Sequence, residues 1–521
     1  MRVLRIGIVD LISKRPTRAM WARVMYPNFA SIMPQAVAVW CKAEGHHVTY
    51  VCYTGFENLT EELPRDVDLV FIGAFTEAAQ LAYALSNQLH SLGVITVLGG
   101  PHARCYPQDA QKYFDYVLGF TNKSVIRDVL QECTRHRPVG IHMTANQQPV
   151  NVPGVRERWE YIQLALRKAP LIKMVPMLAS LGCPYTCSFC IDSTVPYQPL
   201  NLDVLKDDLR FLRTKYRRPI VGWHDPNFGV RFDDIMGMIE EAVPSGSIDF
   251  IAESSLSLLS EQHVKRMKQN GFKALLPGVE SWYDLGNKSK TGQSQGMEKV
   301  RRVSDHVNMI MRYIPYVQTN FVLGLDGDEG PEPFELTKRF VDMTPGAFPG
   351  YSQLTAFGAS SPLNLEYQRD NRVLAFPFHF LDNNGAMNIK PRNYEWHEFY
   401  GHVIDLTRYT FSKRAVLRRL RANGGIVPRW MNVIRALSTE GRGRIEYFTG
   451  VRQHLVDNHQ FRAFFEQETS QLPSVYSKTV QEDLGSMWRW LPPGGLYHDP
   501  NVYLKSEIAK NSEKTGRRLV V

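Results

Sequence analysis

Three cysteines within eight residues are the side chains of this chain best suited to chemistry. Cys183, Cys187 and Cys190 form a C-x3-C-x2-C pattern at the end of an apolar run. Three thiolates at this spacing can ligate three irons of a [4Fe-4S] cluster, and the missing fourth cysteine would leave one iron open to a ligand that is not protein. An open iron indicates catalysis more than electron storage.

Two plainer interpretations of these cysteines remain open. A zinc site needs a fourth Cys or His at finger-like spacing, but no cysteine follows Cys190 and no histidine lies between His142 and His224. Cysteines are also commonly buried as small apolar residues, although three in one loop that also contains Gly182 and Pro184 are unusual.

The cysteine loop, with aromatic Phe189 just before the last cysteine, resembles the signature loop of the radical S-adenosylmethionine (SAM) enzymes. The resemblance implies that Cys183, Cys187 and Cys190 ligate a cluster whose open iron binds the amino and carboxylate groups of SAM. It further implies that an electron from the cluster cleaves SAM to a 5′-deoxyadenosyl radical. Phe189 is then expected beside the adenine.

Composition indicates a large globular chain in a reducing compartment. The 521 residues are 44% hydrophobic and 22% charged, which is enough to bury a sizeable core in two to four domains. Seven cysteines without a regular framework suit a reducing environment. The start lacks the pattern of a signal peptide, and no apolar run is long enough for a transmembrane segment. We therefore expect a cytoplasmic protein.

Segments of strand and helix character alternate through residues 1–144. Strands are predicted at 3–9, 47–53, 67–74 and 94–98, and helices at 32–43 and 77–93. This alternation predicts a Rossmann-like, doubly wound parallel sheet with helices on both faces. In such sheets ligands bind at the carboxyl ends of the strands, where the loops 10–14, 73–76 and 99–102 are expected to gather.

The order of these segments resembles the cobalamin-binding domain that precedes the radical SAM core in one large subgroup. The matching stretches are residues 33–34 with 45–48, 68–73 and 97–102, whereas no G-x-G-x-x-G supports a nicotinamide dinucleotide. The resemblance implies that cobalamin contacts Gly73, Thr76, Gly99, Gly100 and His102.

Two departures from the subgroup's pattern keep a vestigial or structural first domain open as an alternative. The loop 10–16 lacks the histidine that ligates cobalt in many cobalamin proteins, a lack shared by members of the subgroup, so no protein histidine would reach the lower face. Gly119-Phe120-Thr121-Asn122 stands where the family often has G-E-G-E. A lone loop histidine such as His102 is also more often a hydrogen-bonding residue than a ligand contact.

Residues 145–170 are expected to be a linker, and 171–373 a radical SAM core. Strands are predicted at 173–179, 219–223, 249–252, 274–278 and 318–323, with helices at 204–216, 233–241, 260–271, 297–307 and 332–343. About six such units predict a complete or partial β/α barrel of TIM type, with its functional loops at the carboxyl ends of the strands.

Polar groups follow several of these strands where the family places its SAM contacts. The resemblance implies roles for Asp225 toward the SAM ammonium, for Glu280, for Glu253 or Ser255 toward the ribose or methionine, and for the segment of Leu323 toward adenine. Asp225 pairs with an ammonium by charge, but a capping role in a turn fits its position equally well.

Residues 374–521 carry no motif and are expected to form a helical, basic extension. From residue 391 onward there are 20 Lys+Arg against 13 Asp+Glu, in a chain of net charge +9. Such a tail can meet phosphate, an acidic substrate or a membrane surface, or it is solvated surface. The aromatic helices can shape a substrate pocket or simply pack together. No nucleic-acid module is present, so nucleic acid is not the expected partner.

The resemblance implies a radical SAM enzyme, most concretely one for cobalamin-dependent methylation of an unactivated carbon. An external electron donor such as flavodoxin or ferredoxin and a small-molecule, natural-product or lipid substrate are then expected. Radical cyclisation or rearrangement without methyl transfer is the alternative within enzymes. A cobalamin or redox sensor without catalysis is the alternative outside them.

Overall fold

A computed structural model describes residues 2–503 of the chain. The fold consists of two parallel sheets with their helices, followed by a helical region that contacts both. Residues 504–521 of the expected C-terminal extension lie outside the described part. Within residues 2–503, no helix combines the length and the hydropathy that crossing a bilayer would need.

The first sheet has six parallel strands in the order β2-β1-β3-β4-β5-β6. The strands are β1 Arg5–Leu11, β2 His47–Tyr53, β3 Leu69–Ala74, β4 Ile95–Gly99, β5 Tyr116–Leu118 and β6 Ile141–Met143. The central strands are rich in Val, Ile, Leu and Phe and buried on both faces, as parallel sheets require. The strand order reverses between β1 and β3, so a crevice for a ligand is expected at their carboxyl ends.

Helices cover both faces of this sheet. They are α1 Met20–Met25, α2 Ile32–Ala43, α3 Leu59–Glu62, α4 Ala79–Ser91, α5 Pro101–Cys105, α6 Pro107–Ala110 and α7 Lys123–Glu132. The eighth, α8 Val155–Arg167, lies within the predicted linker and packs back on the sheet, where Tyr161 meets Tyr50 and Arg158 bonds Gln35. The segment 145–170 is therefore more ordered than a plain linker.

The second sheet contains six parallel strand positions that form an open barrel. Its strands are β7 Met174–Met177, β10 Ile220–Trp223, β11 Asp249–Ala252, β12 Phe272–Leu275 continued by β13 Gly278–Glu280, β14 Tyr316–Leu323 and β15 Phe348–Gln353. The cysteine loop lies between the two short strands β8 Ser180–Leu181 and β9 Gln198–Pro199, which pair antiparallel. The Rossmann-like sheet and the partial barrel confirm the predicted fold class.

The helices of the barrel follow its strands along the chain. They are α9 Leu202–Lys215, α10 Phe232–Ala242, α11 Glu261–Gln269, α12 Gly286–Ser289, α13 Gly296–Met311, α14 Glu332–Met343 and α15 Pro362–Arg369. Each longer helix buries one apolar stripe and exposes a charged one, the pattern of helices that cover a sheet.

The described end of the chain is helical, as predicted. Its helices are α16 Trp396–Thr410, α17 Lys413–Ala422, α18 Ile426–Leu437, α19 Arg444–Asp457, α20 His459–Phe465 and α21 Ser474–Leu484. The aromatic stretch at the start of α16 packs internally, since Trp396 stacks on Tyr400 and meets Phe465 edge-on. This region also reaches the first sheet, where Asn87 donates to the carbonyl of Trp490.

Candidate active site

A tight turn shapes the loop that carries the three cysteines. Gly182 has a φ of +67°, and a Cβ at this position would lie 2.2 Å from the carbonyl oxygen of Pro196. Only glycine satisfies both conditions without moving the backbone. The Cys183 amide then donates to the Val195 carbonyl at 3.4 Å, and the Cys190 amide donates to the Cys187 carbonyl at 2.9 Å. These two hydrogen bonds hold the end of the loop against its beginning.

Asp225 holds the strand that leads into this loop. Its buried carboxylate accepts hydrogen bonds from the Ala179 amide at 3.0 Å and from the Ser180 hydroxyl at 2.6 Å. Burial raises the pKa of Asp225 to about 6 against the effect of these bonds. Both carboxylate oxygens accept hydrogen bonds from protein, which gives Asp225 a positioning role toward the cysteine loop, and the expected contact with the SAM ammonium stays a prediction.

The thiols of Cys187 and Cys190 lie in a desolvated site, where the thiol form is favoured and a nearby positive charge would favour the thiolate. Burial raises the pKa of Cys187, and it raises the pKa of Cys190 to about 11. Bound metal deprotonates such thiols outright. Among residues 2–503, no group of three or more His, Cys, Asp or Glu side chains is arranged around a single ion. A cluster distributes its ligands over separate irons, and three thiolates in one loop supply the donor type that a [4Fe-4S] cluster needs.

Glu280 and Lys288 form an ion pair beside the cysteines, with 2.6 Å between Nζ and Oε1. Burial alone would lower the pKa of Lys288, but Glu280 and the thiols of Cys187 and Cys190 raise it to about 12. Glu280 adopts a φ of +66°, a conformation that costs energy for a residue other than glycine. The strained backbone of Glu280 places this ion pair at the strand end where the sequence predicted a SAM contact.

The other predicted SAM contacts occupy the ends of neighbouring strands. Glu253 is accessible to solvent, yet the surrounding protein desolvates its carboxyl and raises its pKa, as expected in a recess. Ser255 is buried and its amide bonds the side-chain oxygen of Asn227 at 2.8 Å. Leu323 is buried at the end of β14, where its carbonyl accepts from Leu354.

A cavity of about 450 Å³ lies at the carboxyl ends of the barrel strands. Phe189, Cys190 and Ile191 of the cysteine loop form one wall, and Glu280 and Val322 lie at the strand ends. Residues 352–355 and Phe357 of the barrel also line the cavity. The first domain and the C-terminal region contribute Phe75, Thr76, Glu77, Pro101, Cys105, Leu381, Asp382 and Asn383. All three regions of the chain therefore meet at this cavity.

One end of this cavity carries a buried charge cluster. Lys14 donates to Asp382 at 2.9 Å and lies 3.6 Å from Glu77. Burial raises the pKa of the Glu77 carboxyl, whereas Lys14 lowers that of Asp382 despite burial. Two carboxyl groups face one ammonium here, so this end of the cavity favours a ligand that donates hydrogen bonds.

Gln353 presents an unsatisfied amide to the same cavity. It ends β15, is 1% exposed, and has no hydrogen-bond partner for its side-chain oxygen or nitrogen. A buried polar group without a partner is costly. The amide is therefore best explained as a donor and an acceptor for a ligand.

A second cavity, of about 340 Å³, follows the carboxyl edge of the first sheet. Gly73, Gly99 and Gly100 line it, as predicted for contacts to a flat ligand. Gly100 has a φ of +92°, and open space surrounds the position of a Cβ on Gly99. The crevice lining includes one histidine, His224 of the barrel, and none from the first domain.

Two predicted cobalamin contacts lie elsewhere. His102 is fully buried, bonds the Tyr83 hydroxyl at 2.7 Å and packs edge-on against Phe378. Burial lowers the pKa of His102 to about 3. Helix α5 turns this side chain into the aromatic core, and its contact with cobalamin stays a prediction. Thr76 lines the barrel cavity instead of the crevice.

The cysteine loop separates the two cavities, and Arg104 of α5 connects it to the first domain. Arg104 contacts the carboxylate of Asp192 at 3.2 Å and donates to the Ile191 carbonyl at 2.9 Å. The amide of Asp192 in turn donates to the Cys190 sulfur at 3.4 Å. A side chain of the first domain is thus two contacts away from a predicted cluster ligand.

Comparison with known proteins agrees with this geometry. No protein-family model matches the chain. The chain is 22% identical over 430 residues, 80% of its length and 92% of the other protein, to bacteriochlorophyllide d C-12(1)-methyltransferase of Chlorobaculum tepidum. It is also 23% identical over 228 residues to the C-8(2)-methyltransferase of the same organism, covering 42% of this chain and 50% of that protein.

Solved structures share the whole arrangement of domains. Radical SAM methyltransferase TsrM of Kitasatospora setae, with cobalamin and a [4Fe-4S] cluster bound, matches at a TM-score of 0.53 and 13% identity over 92% of this chain and 100% of that one. The chain therefore shares the fold of the radical SAM enzymes that carry an N-terminal cobalamin-binding-type domain. Cobalamin-dependent radical SAM enzyme OxsB matches the chain at a TM-score of 0.55 and 11% identity, over 98% of this chain and 84% of OxsB.

Sequence reasoning missed the polar end of the barrel cavity. Glu77, Gln353 and Asp382 come from three distant regions and share no local pattern. Lys14 was placed only as part of a loop at a strand end. The available signal was the position of Glu77 and Gln353 just after or at the end of buried strands, where parallel sheets bind ligands.

Proposed function

We propose that this protein uses a [4Fe-4S] cluster, SAM and cobalamin to methylate an unactivated carbon of a small molecule. When bound, the cluster supplies the electron that cleaves SAM to a 5′-deoxyadenosyl radical, and cobalamin supplies the methyl group. An external electron donor of the flavodoxin or ferredoxin class is part of this proposal. The named relatives and neighbours, which include several methyltransferases, support the class of reaction.

The observation that carries the proposal is the position of the cysteine loop between two cavities. Phe189, Cys190 and Ile191 face the barrel cavity, while Gly182 and Asp192 face the crevice of the first sheet. The two cavities also share Phe75 and Pro101 as wall residues. A radical formed on one side and a methyl donor on the other would thus be close, which methyl transfer requires and radical cleavage of SAM alone does not.

The chain's own residues would hold the three groups as follows. Cys183, Cys187 and Cys190 supply three thiolates, and Glu280 with Lys288 presents one carboxylate and one ammonium to the amino acid part of SAM. Gly73, Gly99 and Gly100 leave the crevice edge free of side chains, so that a flat macrocycle could approach the backbone. The apolar walls exclude water from the reacting centre.

The barrel cavity also favours a particular kind of substrate. Its lining is largely apolar, with Phe75, Phe189, Val322 and Leu354 among its residues, and its polar groups are confined to one end near Glu77 and Gln353. A substrate with an apolar body and a hydrogen-bonding group at one edge fits this distribution. We propose this class, which leaves both natural products and amphiphilic lipids as substrates.

Anaerobic reconstitution tests the cluster. The wild type should bind iron and sulfide and form 5′-deoxyadenosine from SAM, whereas a C183A/C187A/C190A variant should do neither. Cys133→Ala, a half-buried cysteine of the first domain, is the matched control and should behave as wild type. Equal iron content in the wild type and the triple variant would contradict the proposal.

A corrinoid test addresses the crevice separately. Protein produced with hydroxocobalamin should release a corrinoid on denaturation, and Gly99→Leu should lower its content because the new side chain enters the crevice. Gly237→Leu, on a helix where a Cβ also meets open space, is the control. Product mass then decides the reaction, since methylation adds one CH2 and forms S-adenosylhomocysteine, while cyclisation adds nothing.

A further inference from the structure

Helix α18 exposes an unusually apolar surface. Ile426, Val427, Trp430 and Leu437 are between 63% and 73% exposed, and Ile434 is 39% exposed. From Val427 onward these residues are spaced by three or four, so they share one face of the helix. We call these five residues the Trp430 face. Large contiguous apolar surfaces on soluble proteins mark interaction sites.

The opposite side of α18 is fixed to the barrel. Pro428 and Asn432 are buried, and Arg435 donates to the hydroxyl of Tyr316 at 2.7 Å and lies over the ring of Phe348. The helix is therefore held in place with its apolar side outward. Its exposed residues do not contribute to the core of the fold, so their apolar character needs another explanation.

The segment that contains the Trp430 face and the helix before it is rich in positive charge. The 25 residues of 413–437 contain seven Lys or Arg and no Asp or Glu. Arg418 and Arg435 pair with acidic residues, and Arg419 is buried. Lys413, Arg414 and Arg421 are exposed and form no ion pair with any residue in the described part of the chain.

We propose that the Trp430 face, with Lys413, Arg414 and Arg421, binds the surface of an anionic lipid bilayer. An amphipathic helix with Trp and aliphatic residues on one side and Lys or Arg around them is the composition that inserts into the headgroup boundary. The bilayer supplies both an apolar layer for the five side chains and negative headgroups for the cations.

Other occupants match only part of this surface. A nucleic acid offers phosphates to the cations but no apolar layer for four aliphatic side chains. A second copy of the chain would place the same unpaired cations of the two subunits close together, because a twofold interface pairs like with like. The bilayer is the occupant that both the charge and the apolar area favour.

Vesicle cosedimentation of the full-length protein tests the proposal. Binding to mixed phosphatidylcholine–phosphatidylglycerol vesicles is expected, with little binding to pure phosphatidylcholine and weakening at high salt. W430S/I434S should lower the partition coefficient at least tenfold. K413Q/R414Q/R421Q should lower it roughly a hundredfold, since each charge near such a surface is worth about fivefold.

Matched controls distinguish binding by this surface from nonspecific adsorption of the protein to vesicles. L171S/V139S removes two apolar residues elsewhere that are more exposed than Trp430 and Ile434, and R65Q/K173Q/K478Q removes three exposed cations elsewhere. Both controls should bind vesicles like the wild type. All variants should keep the thermal unfolding midpoint of the wild type, because the changed side chains are exposed.

Three results would overturn the proposal. The first is equal binding to neutral and anionic vesicles, or no binding. The second is a wild-type dimer that W430S/I434S converts to a monomer, which would assign the surface to a second copy. The third is a wild-type protein that binds polyuridylic acid but not vesicles, with the binding of polyuridylic acid lost in K413Q/R414Q/R421Q.

Discussion

Replacing Asp225 by alanine should destabilise the approach to the cysteine loop. The change leaves the Ala179 amide and the Ser180 hydroxyl without their acceptor in a buried site. An unpaired buried donor costs about 1–3 kcal/mol, so the two together predict a loss of roughly 2–5 kcal/mol in the free energy of unfolding. The displaced loop should then bind less iron.

Two measurements distinguish this role from a contact to SAM. Urea unfolding gives the stability, and iron content with equilibrium dialysis of SAM gives the two binding functions. We expect Asp225→Ala to lower stability and iron content while SAM affinity per loaded cluster stays near the wild-type value. Ser180→Ala is the matched control, since it removes one bond and leaves the Ala179 contact. Wild-type stability with weakened SAM binding would refute the positioning role.

The titration of Asp225 offers an independent check on cluster-free protein. Burial raises its pKa from 3.8 to about 6. A carboxyl with a higher pKa in the folded state binds its proton more tightly there, so its contribution to stability is full below the unfolded pKa and is lost as pH rises through about 6. Relative to Asp225→Asn, the wild type should therefore lose about 2 kcal/mol between pH values near 4 and 7. If the free energies of unfolding of the wild type and of Asp225→Asn changed in parallel with pH, this prediction would be contradicted.

Three further predictions concern neighbouring features. Gly182→Ala should abolish cluster binding, because the new Cβ would lie 2.2 Å from the Pro196 oxygen at a positive φ; iron content measures this. Arg104→Gln should lower methyl transfer about tenfold relative to 5′-deoxyadenosine formation, since it removes a charge-assisted contact worth about 1.5–3 kcal/mol between the first domain and the cysteine loop. Gln353→Leu should raise the free energy of unfolding by about 1–3 kcal/mol and lower turnover, because it removes an unpaired buried amide that serves a ligand.

Each of these variants has a control of the same chemistry. Gly237→Ala adds a methyl group in open space, and Arg127→Gln removes a surface ion pair with Glu44. Thr319→Val removes another unpaired buried polar group, on β14, which does not line the cavity. The first two should leave iron content and the ratio of methyl transfer to SAM cleavage unchanged. If Thr319→Val impaired turnover as much as Gln353→Leu, the ligand role of Gln353 would be contradicted.

Much of the fold could be predicted because its signals are local. Strands such as β1 and β3 are continuous, largely apolar runs. Helix α8 was harder to predict from the sequence, because its first turn is mostly polar and because its apolar side faces the first sheet only in the folded chain. Strand β6 gives little signal, because it has three half-exposed residues at the edge of the sheet.

The candidate site shows the same difference between residues with a local sequence signal and residues without one. The cysteines and the glycines of the crevice belong to contiguous motifs, so their positions followed from the sequence. His102 and Asp225 lie in such motifs too, yet their side chains turn away from the cavities. The direction of a side chain depends on neighbours from distant segments, here Tyr83 for His102 and Ser180 for Asp225. Sequence patterns place the backbone of a site better than they orient its side chains.

The position of the Trp430 face relative to the barrel cavity bears on how a substrate would arrive. Arg435 of α18 contacts Tyr316, the first residue of β14, whereas Val322 near the other end of this strand lines the cavity. At about 3.3 Å per residue, the strand separates the two levels by roughly 20 Å. A bilayer bound at the Trp430 face would then lie beside the end of the barrel opposite the cavity. We therefore expect substrate to enter from the aqueous side, so that anionic vesicles should concentrate the protein without inhibiting turnover of a water-soluble substrate.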